Sequence, residues 1–326
     1  MAIDSAKTLT SGTSSLAIKN RYYDQLFLRI AEQKFVHKQM GQMNRKIGKG
    51  EGGYGTGVVY WTRWTNLPLV TVGQGEGVPT TAVQMTAANV TGSTAQYDAA
   101  VSISDLMAYT SFSDIMKEVI SRLAYNAGQS IDSIVRDAIS NSGTFQATGG
   151  ITATANYTAI PSTATFSIAD VRRANRTLQR NDTQELDGGG WAGVIHPDVL
   201  YDLQADTTTG GWIDANKYTD NNANKLMTGE VGKLMGVRFL ETSNAKVRGL
   251  GVTTSGQVYV TNIVGKDAFG VTELQDLKTY VKPFGSGGVA DPTDKVATAG
   301  WKTTFGVSIL NPAFIVNVHS AVSSTA

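Results

Sequence analysis

The chain has 326 residues, a formal net charge of +1 and no cysteine, which excludes disulfides and thiolate zinc sites and leaves no global electrostatic pull toward nucleic acid or membrane. The length suits one large or two ordinary domains, and no apolar run approaches the ~20 residues a bilayer-spanning helix needs. Charged residues make up 17% of the chain, against roughly 25% in ordinary globular proteins. That deficit fits a surface largely covered by partners, since interface centres are depleted in Lys, Glu and Asp.

The opening stretch, "MAIDSAKTLTSGTSS", is polar and shows nothing like a secretory apolar core. Residues 1–49 carry nine Lys/Arg (Lys7, Lys19, Arg21, Arg29, Lys34, Lys38, Arg45, Lys46, Lys49) against Asp4, Asp24 and Glu32. Residues 50–110 carry only Arg63 against Glu51, Glu76, Asp98 and Asp105. A basic arm on a neutral body is a design for touching nucleic acid with one end of a chain. Within the arm, residues 16–40 are helix-compatible, with Tyr23, Leu26, Phe27 and Ile30 on one face. This reads as a helix docking on the body or on a neighbouring copy, with a membrane-surface helix as the alternative. "GKGEGGYGTG" then breaks the pattern.

"VVYWTRWT" follows, rich in β-branched and aromatic residues, then the glycine-laced "VGQGEGVP", then "QYDAAVSIS" with a clean period of two. Residues 56–104 read as a long projecting two-stranded excursion. Trp61 and Trp64 fall on opposite faces of its first strand, because an odd separation alternates sides. An isolated ribbon is marginal in water, so this one needs something to lie on.

Residues 113–142 form the strongest helix, about 45 Å long at 1.5 Å per residue. Met116, Val119, Ile120, Leu123, Ala127, Ile131, Ile134, Val135 and Ala138 make its apolar stripe, and Gly128 weakens its middle. Asp114, Glu118 and Asp132 read as its solvated face. Residues 144–165 are polar and small. Ser167 and Asp170 then make a capping box for a helix reaching Asn181, whose arginines, Arg172, Arg173, Arg176 and Arg180, read as a solvated or subunit-facing side in preference to a phosphate site. A strand at 191–195, a short helix at 197–205 and strands at 237–242, 257–264, 277–284, 301–310 and 314–319 complete an α+β mixture with no fixed internal repeat.

Chemistry is thin. "GEVGKLMGVRF" looks like a phosphate cradle, but it lacks the leading glycine and the hydroxyl of a Walker loop and leads into a strand instead of a helix. It reads as a turn aiming a strand. The three histidines, His37, His196 and His319, lack metal-ligand spacing. Asp198, one helical turn before Asp202 and close to His196, serves the helix N-terminus better than a metal. No nucleophile elbow or base-paired nucleophile is present, so no cofactor, metal site or catalytic residue is expected.

Seven phrases in order carry a resemblance: "VVYWTRWTNLPLVT…GEGVPT", "QYDAAVSISDL", "FSIADVRRANRTLQRND", "VIHPDVLYDLQAD", "GWIDANKY", "GEVGKLMGVRFLETSNAK" and "TFGVSILNPAFIVNV". From about Thr56 to Val318 the chain resembles the major capsid proteins of tailed bacteriophages, with the Hong Kong 97-type fold. The resemblance implies an N-terminal arm (1–55), an extended E-loop hairpin (56–104) lying across a neighbour, and a peripheral domain with a long spine helix (105–187). An axial domain (188–274) and C-terminal strands returning to the peripheral domain (275–326) complete it.

The implied function is structural. Copies form pentamers and hexamers of an icosahedral shell around double-stranded DNA, first in the host cytoplasm and finally in the virion. Scaffolding and portal proteins and a cement or decoration protein are the implied partners, and no membrane is. The same fold also builds encapsulin-like compartments for cargo enzymes, which is the alternative reading. Within this frame Arg29, Lys34, Lys38, Arg45 and Lys46 are the DNA-facing candidates, and Trp61, Arg63, Trp64 and Glu76 the inter-subunit candidates. Some relatives crosslink through an E-loop lysine; this chain has no lysine between Lys49 and Lys117, so that chemistry is not expected.

Overall fold

The computed structural model describes residues 13–44, 58–205 and 230–323, apart from residues 33, 66, 74, 78, 81, 112–113, 151–156, 188, 250–256 and 288–290. In chain order the elements are α1 (Thr13–Glu32), β1 (Gln42–Asn44), β2 (Val58–Trp64), β3 (Ala87–Ser93), β4 (Ala95–Ser104), α2 (Asp105–Thr110), α3 (Ile115–Asn141), β5 (Thr144–Ala147) and α4 (Ile168–Arg180). The second half adds β6 (Trp191–Ile195), α5 (Pro197–Ala205), β7 (Glu230–Leu234), β8 (Val237–Glu241), β9 (Val247–Arg248), β10 (Val258–Val264), β11 (Phe269–Lys282), β12 (Val296–Ile309) and β13 (Ile315–Ser320).

A mixed seven-stranded sheet runs β5-β13-β10-β6-β8-β7, with β9 paired to β10. Its strands are hydrophobic on both faces, as a sheet covered on both sides must be. Period two sorts the side chains. Trp191, Ile195, Val237, Phe239, Ile263, Val316 and Val318 join the core under α4 and α5. Ala192, Val194, Leu240, Val264 and Ile315 join the core under α3 and the end of the arm. Hence α3 and α4 lie on opposite faces of one sheet.

A four-stranded sheet, β1-β11-β12-β4, has one face packed against α1 and α3 through Phe27, Ala31, Ile120, Leu123, Ala127, Ala299 and Trp301. On the other face the root of the β2–β3 ribbon covers Gly270 and Gly306, while Asp98, Lys278, Tyr280 and Lys282 are exposed. Gly128 marks the closest approach of α1 to α3: a Cβ there would lie 2.8 Å from the Ala31 carbonyl oxygen. The glycine that weakens α3 locally is what lets α1 reach it.

Local signals behave as expected at several ends. Asp114 caps α3, accepting from the Lys117 amide at 3.3 Å. Ser167 and Asp170 form the capping box of α4, and Pro197 opens α5 at a position that needs no N–H donor.

Other expectations are corrected. The ribbon closes as β2 with β3, Val58 opposite Ser93 through Trp64 opposite Ala87. The alternating "AQYDAAVSIS" is β4, paired to β12 in the four-stranded sheet, with Ser104 opposite Val296. The excursion therefore does not extend to 104. The seven-stranded sheet likewise draws β5 and β13 from outside 188–274. The arm helix stops at Glu32 instead of running to residue 40, because the chain turns there to bury Val36, His37 and Met40.

Candidate assembly surfaces

The β2–β3 ribbon is rooted and then abandoned by its own subunit. At the root Trp61 is buried, 8% exposed, in a slot where Gly92, Gly270 and Ser308 converge. Three residues on, Trp64 faces the other way and is 58% exposed. Arg63 and Glu76 are exposed as well. Beyond the last pair, where the Thr65 amide donates to the Thr86 carbonyl at 3.0 Å, the chain carries Leu67, Leu69, Val70, Val72, Val83 and Met85 in solvent. Leu69 is 91% and Val70 87% exposed. Burying each such side chain is worth ~1.5–3 kcal/mol, and a subunit alone forgoes it. A run like this marks an interaction surface.

Between the ribbon root and the body lies an open cleft of about 520 Å³ lined by Arg63, Trp64, Asp182, Gln184, Lys266, Asp267 and Phe314 among others. A second apolar patch was not anticipated. Leu106, Met107 and Tyr109 on the short α2 are 55–85% exposed. The only trace in sequence is three large apolar residues directly after the alternating strand, "DLMAYT".

The arm candidates separate. Arg29 and Lys34 are exposed, Lys34 with its ammonium 4.8 Å from the centre of the Tyr125 ring. Lys38, expected to face DNA, is instead half-buried, ion-paired to Glu273 and seated over the Phe35 ring. Its charge is neutralised within the subunit. Arg45 and Lys46 lie outside the described residues.

Asp132, read as part of a solvated face, is buried. It accepts from the Val36 and His37 amides at 2.9 and 2.8 Å, from His37 Nδ1 at 2.8 Å and from Asn244 Nδ2 at 3.1 Å. Burial alone pushes this carboxyl up; the His37 hydrogen bonds and charge, with Asn244, outweigh it and hold Asp132 below the ordinary carboxylate range.

The remaining polar candidates are structural. The Asp198 amide donates to His196 Nδ1 at 3.2 Å, and the Tyr259 hydroxyl donates to the Asp198 carboxylate at 2.9 Å. Burial, reinforced by Asp198, pushes the Tyr259 hydroxyl up to about 12. Asp202 accepts from the Ser323 amide at 2.9 Å. Among the described residues no cluster of three His, Cys, Asp or Glu could hold a metal. "EVGKLMGVRFLE" is a tight hairpin, β7 to β8, with Met235 and Gly236 both at positive φ and Leu234 opposite Val237. That is the backbone a two-residue hairpin loop requires, and it leaves Lys233 exposed on the surface.

Comparison with known proteins agrees with this picture of a surface built for neighbours. The family model for phage capsid proteins matches residues 88–318. No curated protein matches the sequence. Among solved structures, the capsid of Ralstonia phage GP4 aligns over 100% of this chain and 98% of its own at a TM-score of 0.67 and 14% identity. The Mycobacterium phage Che8 structure covers 87% of this chain and 90% of its own, with a TM-score of 0.59 and 14% identity. The capsid of a native GTA particle covers 89% and 91%, at 0.57 and 13%. The likeness to these structures lies in the fold, an α+β architecture resembling Hong Kong 97-type capsid proteins. The match spans most of the sequence, and the chain belongs to the phage capsid protein family, a family of structural proteins.

Proposed function

We propose that copies of this chain associate as pentamers and hexamers into an icosahedral head that encloses double-stranded DNA. In this reading the β2–β3 ribbon is the E-loop of the family, α3 the spine of the peripheral domain, and the seven-stranded sheet the bulk of the axial domain. One observation carries the proposal: the ribbon tip holds Leu67, Leu69, Val70 and Val72 in solvent, beyond the reach of its own core. A neighbouring copy supplies the missing support. Trp64, Arg63 and Glu76 stand on the same ribbon as the polar and aromatic part of that contact.

The low charge content fits a subunit surrounded by its copies. With no lysine between Lys49 and Lys117, the ribbon has no amine for a covalent crosslink. Non-covalent contacts or a cement protein hold the shell, and scaffolding and portal proteins direct its closure. The host cytoplasm is the place of assembly and the virion the destination.

Deleting residues 67–79 tests this reading. The shortened subunit should still unfold in one cooperative transition, yet fail to form closed particles by electron microscopy. Closed shells of normal size from the deletion would remove the ribbon from the assembly contact.

A further inference from the structure

We propose that the exposed face of α4 is a contact for the phosphate backbone of double-stranded DNA, a proposal that rests on reading the chain as a DNA-enclosing shell subunit. Arg172, Arg176 and Arg180 follow one another at intervals of four residues, all exposed. At 1.5 Å rise per residue they form a line about 12 Å long. None has an acidic partner within ion-pair distance among the described residues, whereas Arg173, one position round the helix, is paired to the buried Asp170 at 2.6 Å. The exposed face of α4 carries no acid at all.

The ordinary reasons for surface arginines do not account for this line. A solvated helix face usually mixes both signs. A cation in the last turn complements the helix dipole, which covers Arg180 but not Arg172 in the first half. The Asn175 side-chain amide donates to the Met235 carbonyl at 2.7 Å. That bond holds the β7–β8 hairpin, with its exposed Lys233, against the same helix. Acids near the end of α4, Asp182 and Glu185, lie in the following loop, where Glu185 accepts from the Gly190 amide at 2.7 Å.

The choice of occupant follows from the shape of the charge. Duplex DNA presents about one negative charge per 1.7 Å, and guanidinium groups match phosphate oxygens two bonds at a time. Among the described residues, no exposed helix or strand carries three acids on one face, so a second copy offers no equally matched surface. The site is also distinct from the arm, because α4 and α3, to which the arm is docked, cover opposite faces of the seven-stranded sheet.

The experiment compares the full-length chain with Arg172→Gln/Arg176→Gln/Arg180→Gln, with the corresponding lysine triple, and with Arg29→Gln/Lys34→Gln from the opposite side of the sheet. The probe is a mixed-sequence DNA duplex titrated against unassembled subunit at about 50–200 mM salt; shell formation is scored separately by microscopy. Losing three phosphate contacts should make the plot of log affinity against log salt shallower by about 2.7, with at least tenfold weaker binding at the low-salt end. The lysine triple should keep most of the slope, and the glutamine triple on α4 should lose more of it than the arm variant, which reads the arm's separate contribution. An unchanged slope in the glutamine triple overturns the proposal. So does normal DNA binding combined with failure to close shells, which would assign the stripe to a neighbouring copy or an acidic accessory protein. A wild-type chain that forms no shells would instead count against the capsid reading itself.

Discussion

His37 and Asp132 meet in the interior, Nδ1 to Oδ2 at 2.8 Å, and neither side chain is exposed to solvent. The pair joins the end of the arm to the middle of α3, and Asn244 ties the same carboxylate to the loop after β8. Removing one member of a buried pair costs about 3–5 kcal/mol, because the other is left without compensation. Asp132→Ala should therefore lower subunit stability by that order, and Asp132→Asn by less. The folded carboxyl sits below its ordinary value of 3.8. Its stabilising effect is thus present above that value and is lost as pH falls through the folded one. Unfolding midpoints followed from neutral pH to pH 3 should fall less steeply at the acid end in Asp132→Asn than in wild type.

His319 gives a second pH signature, of the same sign but in a higher window. It lies in the last strand, stacked on Phe145 with ring centres 4.4 Å apart, and donates from Nδ1 to the Asn317 carbonyl. Burial, then the nearby Arg248, lowers its pKa to about 4, against partial relief from backbone hydrogen bonds. Above 6.5 the ring is neutral in both folded and unfolded chains and pH has no effect through it. Between 6.5 and 4 only the unfolded chain takes up the proton, so stability falls by about 1.4 kcal/mol per pH unit, or roughly 3 kcal/mol in all. His319→Phe keeps the stack and cannot titrate. Its stability should be flatter across that window, the residual slope including His196, whose pKa burial also lowers. A slope equal to wild type would mean that His319 is protonated in the fold.

The ribbon root depends on Gly306. A Cβ there would fall 2.2 Å from the Ser93 carbonyl oxygen, a backbone atom that cannot swing aside. Gly306→Ala should cost about 1–3 kcal/mol through forced displacement. The strain falls between β12 and the end of β3, so limited proteolysis should cut the ribbon sooner in the variant while α3 stays protected.

Trp64 and Trp61 make a paired test of the assembly surface. Trp64→Ser removes an exposed ring and should change subunit unfolding by no more than about 0.5 kcal/mol, yet reduce the yield of closed shells. Trp61→Ala empties a buried slot and should cost about 3–5 kcal/mol before assembly begins. Equal stability losses in the two variants would contradict the opposite burial of the two rings.

What could be read from sequence was local. The capping box of Ser167 and Asp170, the β7–β8 turn and the period-two pattern of β4 each depend on neighbours a few residues away, and each is found in the structure. The partner of β4 was not legible, because Ser104 pairs with Val296 across most of the chain while β3, next to β4 in sequence, pairs with β2. Asp132 was misread for the same reason. Nothing within α3 distinguishes it from a solvated acid, and the histidine that buries it comes 95 residues earlier. The exposed tip at 67–72 was legible as a ribbon lacking support, since its composition could not make a core of its own.

The arm's described basic side chains, finally, divide into one that holds the subunit together and two that do not. Lys38 pairs with Glu273 and lies against Phe35, with both ends of the pair partly shielded from water. Lys38→Gln should therefore lower the unfolding midpoint of the isolated subunit. Arg29→Gln and Lys34→Gln should leave it nearly unchanged, because Arg29 is exposed and Lys34 makes only a surface contact with the Tyr125 ring. If the arm does touch packaged DNA, its effect must come from Arg29 and Lys34 among the described residues, and it must be short-ranged, since the Debye length at physiological salt is about 8 Å. The decisive comparison is DNA retained in shells of the Arg29→Gln/Lys34→Gln variant across a salt series. Weaker retention with normal shells would place DNA on the α3 side of the sheet, whereas unchanged retention at every salt concentration would make the arm a docking element alone.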